Sequence, residues 1–158
     1  MRYALIDHVL ERSPERVRAV KNLSSAEEYL ADHFPTFPVM PGVLMIEAAV
    51  QAARVLLAER GLVTADRPRW VLCGVRALKY GRFIAPGDAL LVEVSFDKEG
   101  EDGSVTVRAT GLRRAPGPPA AAAVGPTPAA DSAPSRSPSD ETSFSGRIVL
   151  RPLSAAAP

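Results

Sequence analysis

The sequence predicts a single α+β domain. Three observations carry that prediction: one long apolar helix pattern, five or six β-rich segments set off by turn residues, and 46% hydrophobic residues in a chain of 158. That length suffices for one domain with a real core but not for two ordinary ones. With 19 Lys and Arg against 18 Asp and Glu the formal net charge is +1, which fits neither global disorder nor a polybasic nucleic-acid binder. The one cysteine, Cys73, excludes an intrachain disulfide framework and a CxxC metal knuckle, and accords with a reducing compartment. Asp7 cuts the first apolar run too early for a signal peptide. No stretch approaches the roughly 18 uninterrupted apolar residues of a membrane span. The expectation is therefore a cytoplasmic protein without a membrane or nucleic-acid partner.

Taken in order, residues 4–10 and 16–23 read as half-buried strands joined at Ser13-Pro14. Ser24 with Glu27, and Ser25 with Glu28, have capping-box spacing and open a short helix ending near Leu30. Pro35, Pro38 and Pro41 make residues 33–41 a stiff loop, because each lacks an amide proton and restricts its predecessor. The long helix runs from Val43 to about Arg60, with Gly61 just past its end and Arg60 set against the C-terminal dipole. Segments 69–78, 89–96 and 104–112 are strands, separated by turns at Pro86-Gly87-Asp88 and at residues 100–103.

Composition changes at residue 115. Of the 28 residues in 115–142, 7 are Pro, 8 Ala and 4 Ser, and Val124 is the sole large aliphatic. Such a segment buries too little apolar area to offset its ordering entropy, so it is expected to be a disordered insert within a strand–strand hairpin. Lengthening a turn that far costs about 2 kcal/mol of closure entropy, which a folded domain tolerates. A last strand resumes at Phe144–Leu150. The domain is thus expected to comprise 1–114 and 143–152, followed by a flexible tail at 153–158. Without the insert, which holds Arg136 against Asp131, Asp140 and Glu141, the remainder carries 18 basic and 15 acidic groups.

The long helix is apolar nearly all round and so must be enclosed by the rest of the fold. Its polar residues Glu47, Gln51 and Arg54 are spaced four and three apart and share one narrow stripe. A carboxylate there is costly unless paired, hydrogen-bonded or functional. Two readings stand side by side: a structural Glu47–Arg54 ion pair bridged by Gln51, or a reacting acid. The preceding loop presents His33 and enters the helix through Gly42, whose amide lacks an intrahelical partner and can face a developing negative charge. His8, on a strand, reads as an ordinary exposed or satisfied histidine. A base, an acid and an oxyanion donor within fifteen residues are the parts needed to take a proton beside a carbonyl and expel a β-hydroxyl.

The run His33-Phe34-Pro35-x-x-Pro38-x-x-Pro41-Gly42-Val43-Leu44-x-x-Glu47-x-x-x-Gln51 closely resembles the active-site motif of the β-hydroxyacyl-acyl-carrier-protein dehydratases. The likeness extends to residues 6–11, 19–22 and 80–88 and so reaches essentially the whole chain except the insert. It implies the hotdog fold, a curved antiparallel sheet wrapped around one long helix. It implies His33 as base on the α-carbon, Glu47 as acid toward the departing hydroxyl, the Gly42 amide on the thioester carbonyl, and Gln51 orienting Glu47. Imidazole titrates near neutrality and an apolar setting favours a protonated carboxyl, so the residue types suit these roles. The two catalytic residues meet across a subunit interface in that family, which implies a homodimer or a trimer of dimers. No metal or organic cofactor is implied; the partner is acyl carrier protein bearing a 3-hydroxyacyl chain. Phe34, Val43 and Arg54 are candidates for contacting the substrate.

The chain departs from the pattern in three places. No proline-rich lead-in precedes the first strand, Asp32 stands where glycine is frequent and could restrain His33, and Arg54 replaces a small residue. An Arg54–Glu47 pair would make Glu47 a poorer proton donor; alternatively Arg54 shortens the acyl tunnel. Between Arg67 and Gly87 lie Arg67, Arg69, Arg76, Lys79 and Arg82 with no acid. These form either a solvated strand face or, through Arg76, Lys79 and Arg82, a docking patch for an acidic carrier. The expected activity is dehydration of 3-hydroxyacyl thioesters to trans-2-enoyl thioesters in fatty acid or related lipid synthesis. Another hotdog thioester enzyme (a thioesterase or enoyl-CoA hydratase), a non-catalytic acyl-binding scaffold, and a structural partner acting through its insert are the alternatives.

Overall fold

The computed structural model describes residues 4–116 and 140–153. Most of the expected insert, 117–139, and the tail beyond Leu153 lie outside the described residues. Six strands form one antiparallel sheet: β1 (His8–Arg12), β2 (Arg16–Asn22), β3 (Arg69–Tyr80), β4 (Ala89–Glu99), β5 (Val105–Arg114) and β6 (Glu141–Leu153). Their order across the sheet is β1-β2-β4-β5-β6-β3, so β1 and β3 are the edges. The single α-helix, α1 (Gly42–Glu59), packs chiefly over β4 and β2. Its Ala48, Ala49, Val50, Ala52, Ala53, Leu56 and Leu57 are fully buried. Small residues on this face let the helix sit close to Val17, Ala19, Val92 and Val94, which alternate with outward residues along β2 and β4.

Several expectations need correction, each for a tertiary reason. Residues 4–7 precede β1: Leu5 is buried and its amide donates to Gln51 Oε1 at 2.9 Å, a helix side chain instead of a strand. The short helix is only a 3₁₀ turn, Glu28–Leu30, and no capping box forms. Glu27 is drawn instead to the buried Lys21 ammonium at 2.7 Å, which also meets Asp7 at 3.3 Å. Gly61 does follow α1 with φ +70, but Arg60 turns away from the helix end, donating to the Pro14 carbonyl and lying over the Phe96 ring. The last strand begins at Glu141, two residues before the expected restart at 143. Asp140 is buried in a two-bond pair with Arg114 (Nε–Oδ1 3.0 Å, Nη2–Oδ2 2.9 Å), and Glu141 already belongs to β6, facing Arg113 and Arg82. Leu153, placed in the tail, ends β6.

The helix is also less enclosed than its composition requires. Val43 is 72% exposed, and Glu47, Gln51, Arg54 and Val55 continue that open stripe. The long edge strand β3 lies alongside. Arg54 Nε donates to the Trp70 carbonyl at 2.9 Å at one end, and Tyr80 covers Gly42 at the other. Leu72 and Val75 of β3 remain partly exposed between these contacts. No helix among the described residues is long and apolar enough to cross a membrane.

Candidate active site

The proline-rich loop sets His33 against the start of α1. Its Nδ1 lies 2.9 Å from the Val39 carbonyl. A carbonyl can only accept, so Nδ1 carries a proton, and in the neutral ring Nε2 presents the lone pair. The Phe34 ring stacks on the imidazole at 4.2 Å, and Val39 N–H returns a bond to the His33 carbonyl. The ring therefore takes its restraint from Val39; Asp32 is exposed and makes no hydrogen bond to it among the described residues.

His33 opens onto a cleft of about 540 Å³ lined by Phe34, Met40, Gly42, Val43, Tyr80 and Phe83, among others. The lining is mostly apolar and includes Arg82. Gly42 and Val43 begin α1, and no side chain caps that end. Met40 N–H is taken by the Ile84 carbonyl, and Leu44 and Met45 N–H by Pro41, whereas the Gly42 and Val43 amides have no partner among the described residues. Gly42 is also demanded by space: a Cβ there would lie 2.8 Å from the Tyr80 ring and 2.9 Å from its hydroxyl. Partial burial raises the Tyr80 hydroxyl above its ordinary pKa, so it stays protonated near neutral pH and can bind as a phenol but not serve as a base.

Glu47 is not part of the lining of this cleft. It lies on the open stripe, where Oε1 accepts from Gln51 Nε2 at 3.2 Å and from Arg54 Nη1 at 3.3 Å. Oε2 has no hydrogen bond among the described residues. The ion pair of the first reading is present, and it occupies one carboxyl oxygen only. Within one chain the structure brings together His33, Phe34, Gly42, Val43 and Arg82, and separately Glu47, Gln51 and Arg54. Among the described residues no cluster of His, Cys, Asp and Glu could hold a metal ion.

The basic residues divide similarly. Arg82 is tied to Glu141 at 2.9 Å. Arg76 and Lys79 have no acidic partner among the described residues. Register across the outer face places Arg16, Ser95, Arg108, Arg147 and Arg76 in one row on β2, β4, β5, β6 and β3. Asp97 serves both Arg108 (2.7 Å) and Arg147 (3.2 Å). Sequence reading missed Arg108 and Arg147 because only strand pairing aligns them with Arg76. It also left Tyr80 without a role, although an aromatic before Gly81-Arg82-Phe83 was a usable signal.

One long helix held against a single antiparallel six-stranded sheet, with a histidine cleft at the helix N-terminus, defines a hotdog-fold protein. Solved structures agree on the fold. The dehydratase heterocomplex ApeI:P from Xenorhabdus doucetiae superposes with TM-score 0.57 at 19% identity, covering 94% of this chain and 98% of that one. The protein smu.793 from Streptococcus mutans UA159, bound to acetyl CoA, gives 0.63 at 10% identity over 98% and 94%. The profile of the FabA-like domain matches residues 2–114, and the chain belongs to that family. Its relatives include the 3-hydroxyacyl-acyl-carrier-protein dehydratase FabZ of Polaromonas sp. strain JS666, 38% identical over 96 residues, which span 60% of this chain and 66% of that protein. The corresponding protein of Polaromonas naphthalenivorans is 40% identical over 92 residues, spanning 57% and 63%. The chain thus aligns with just under two thirds of each of these relatives.

Proposed function

We propose that the protein dehydrates 3-hydroxyacyl thioesters to trans-2-enoyl thioesters, as a cytoplasmic enzyme of fatty acid or related lipid synthesis. The observation that carries this reading is the His33 ring, fixed with a free Nε2 lone pair beside two unpartnered amides at the head of an apolar cleft. The thioester carbonyl oxygen accepts from the Gly42 amide, and the acyl chain lies against Phe34 and Val43. Nε2 takes the α-proton; the electrons of that C–H bond move into an enolate whose charge the helix N-terminus stabilises. The enolate closes to the Cα=Cβ bond as the β-hydroxyl leaves, protonated by Glu47, as water.

This assignment takes Glu47 from a second copy, because within one chain Glu47 does not line the cleft onto which His33 opens. The edge of β3, unpaired among the described residues, and the open stripe of α1 form the surface a homodimer would cover, and a long edge strand left open is itself a liability. Three such dimers could assemble further. The carrier would approach over Arg76 and Lys79, extended by Arg147 and Arg108, with its acidic surface matching theirs. The FabZ relatives named above act on carrier-bound substrates by name, which supports the same carrier here.

The test offers purified protein several 3-hydroxyacyl-carrier chain lengths and follows enoyl absorbance. Wild type should turn over, and His33→Ala and Glu47→Gln should each lose about 10²- to 10⁴-fold in kcat. Free thiol release without enoyl product would make it a thioesterase. Binding with no product at all would make it an acyl-binding protein.

A further inference from the structure

We propose that Arg54 is a positioning residue for the reaction, holding Glu47 so that its free carboxyl oxygen faces the substrate; this rests on the dehydration reading above. The geometry is a brace running through three elements. Arg54 Nε donates to the Trp70 carbonyl at 2.9 Å, and Trp70 is itself fixed, 2% exposed with its indole N–H on the Leu62 carbonyl at 3.3 Å. From that anchor Arg54 Nη1 reaches Glu47 Oε1. On the other side Gln51 Nε2 reaches the same oxygen while Gln51 Oε1 is held by the Leu5 amide. Glu47 is thus gripped from β3 and from the segment before β1, and both grips fall on Oε1.

A guanidinium fits this task because its planar fork can donate in two directions at once. Its Nε and Nη1 are used on two different acceptors, which a single ammonium could not reproduce with the same geometry. With Oε1 occupied, Oε2 is the only carboxyl oxygen left to exchange a proton with the β-hydroxyl. Arg54 then supports the acid and does not disable it.

The experiment measures kcat and KM separately for wild type, Arg54→Ala and Arg54→Lys on carrier substrates of several chain lengths, with circular dichroism melts as the folding control. A misplaced acid should lower kcat about 10²-fold for Arg54→Ala at every chain length with KM unchanged, and Arg54→Lys should recover part of the loss. Arg54→Ala combined with Glu47→Gln should be no slower than Glu47→Gln alone, since the two act as a unit. Unchanged kcat, or fully additive losses, overturns the proposal. So does a gain in affinity for longer chains at constant kcat, which would make Arg54 a stop in the acyl path. If Arg54→Ala does not fold, the Lys variant and Arg54→Gln carry the same comparison. A wild type that forms no enoyl product removes the dehydration reading and this proposal with it, whereas an active wild type matched by its Arg54 variants removes this proposal alone.

Discussion

Gly42→Ala separates the chemistry of the cleft from its stability. The new methyl carbon would stand 2.8–2.9 Å from the Tyr80 ring and hydroxyl. Ordinary contact begins near 3.4 Å, so the ring has to retreat by roughly 0.6 Å or swing away. Tyr80 is 53% exposed and nothing seals it in place, so the move is cheap. Alanine also favours a helix over glycine by up to about 1 kcal/mol. Folding stability should therefore stay within about 1 kcal/mol of wild type in urea titration. Activity should not survive so well. The thioester carbonyl must approach the Gly42 amide past both the methyl and the displaced phenol, and misplacement of about 1 Å costs on the order of 10²-fold in rate. Steady-state kcat/KM on a 3-hydroxyacyl carrier reads that loss, and the same measurement on Gly42→Ala/Tyr80→Ala shows how much of it passes through the ring. A variant that keeps full kcat/KM, or one that loses activity only by unfolding, refutes the reasoning.

Arg114→Ala removes the two-bond contact to the buried Asp140 carboxylate and should lower the unfolding free energy, visible as an earlier urea midpoint. Asp97 is held below the usual carboxylate range, first by its hydrogen bond from Arg108 and then by the charges of Arg108 and Arg147. Because its folded value is depressed, that stabilisation is present above the unfolded value of about 3.9 and fades as pH falls through the lower folded one. Asp97→Asn should accordingly flatten the acid limb of a melting-temperature profile below about pH 4 while leaving the slope near neutrality alone. Arg76→Glu with Arg147→Glu should slow turnover of carrier-bound substrate by about tenfold at low salt, less at high salt, and leave a pantetheine thioester lacking the carrier protein unaffected.

What could be read from the sequence was local. The apolar run of α1, the three prolines before it and the glycines at 42 and 61 act through their own backbones, so the loop, the helix and the approach of His33 were all legible. The stripe Glu47–Gln51–Arg54 followed from helical spacing alone, and so did its internal contacts, but not the anchors of Gln51 on Leu5 and of Arg54 on Trp70. What escaped was decided by partners far away in the chain. Glu27 left its capping position for Lys21, a strand residue that composition could not single out. Asp140 and Glu141 look like the proline-alanine stretch they adjoin, and only Arg113 and Arg114, on the strand they return to, make them part of the sheet. The row of arginines on the outer face exists only in the register of β3, β5 and β6, which a one-dimensional pattern does not contain.

The Arg114–Asp140 clasp has an engineering consequence. It ties the end of β5 to the residue just before β6, beside the last paired residues of that ladder, Arg113 and Glu141. Whatever is spliced between those two residues, whether a fluorescent reporter, an affinity handle or a second enzyme, would hang from a closed knot and not from an open seam. New chain ends made there should be tolerated by the same logic.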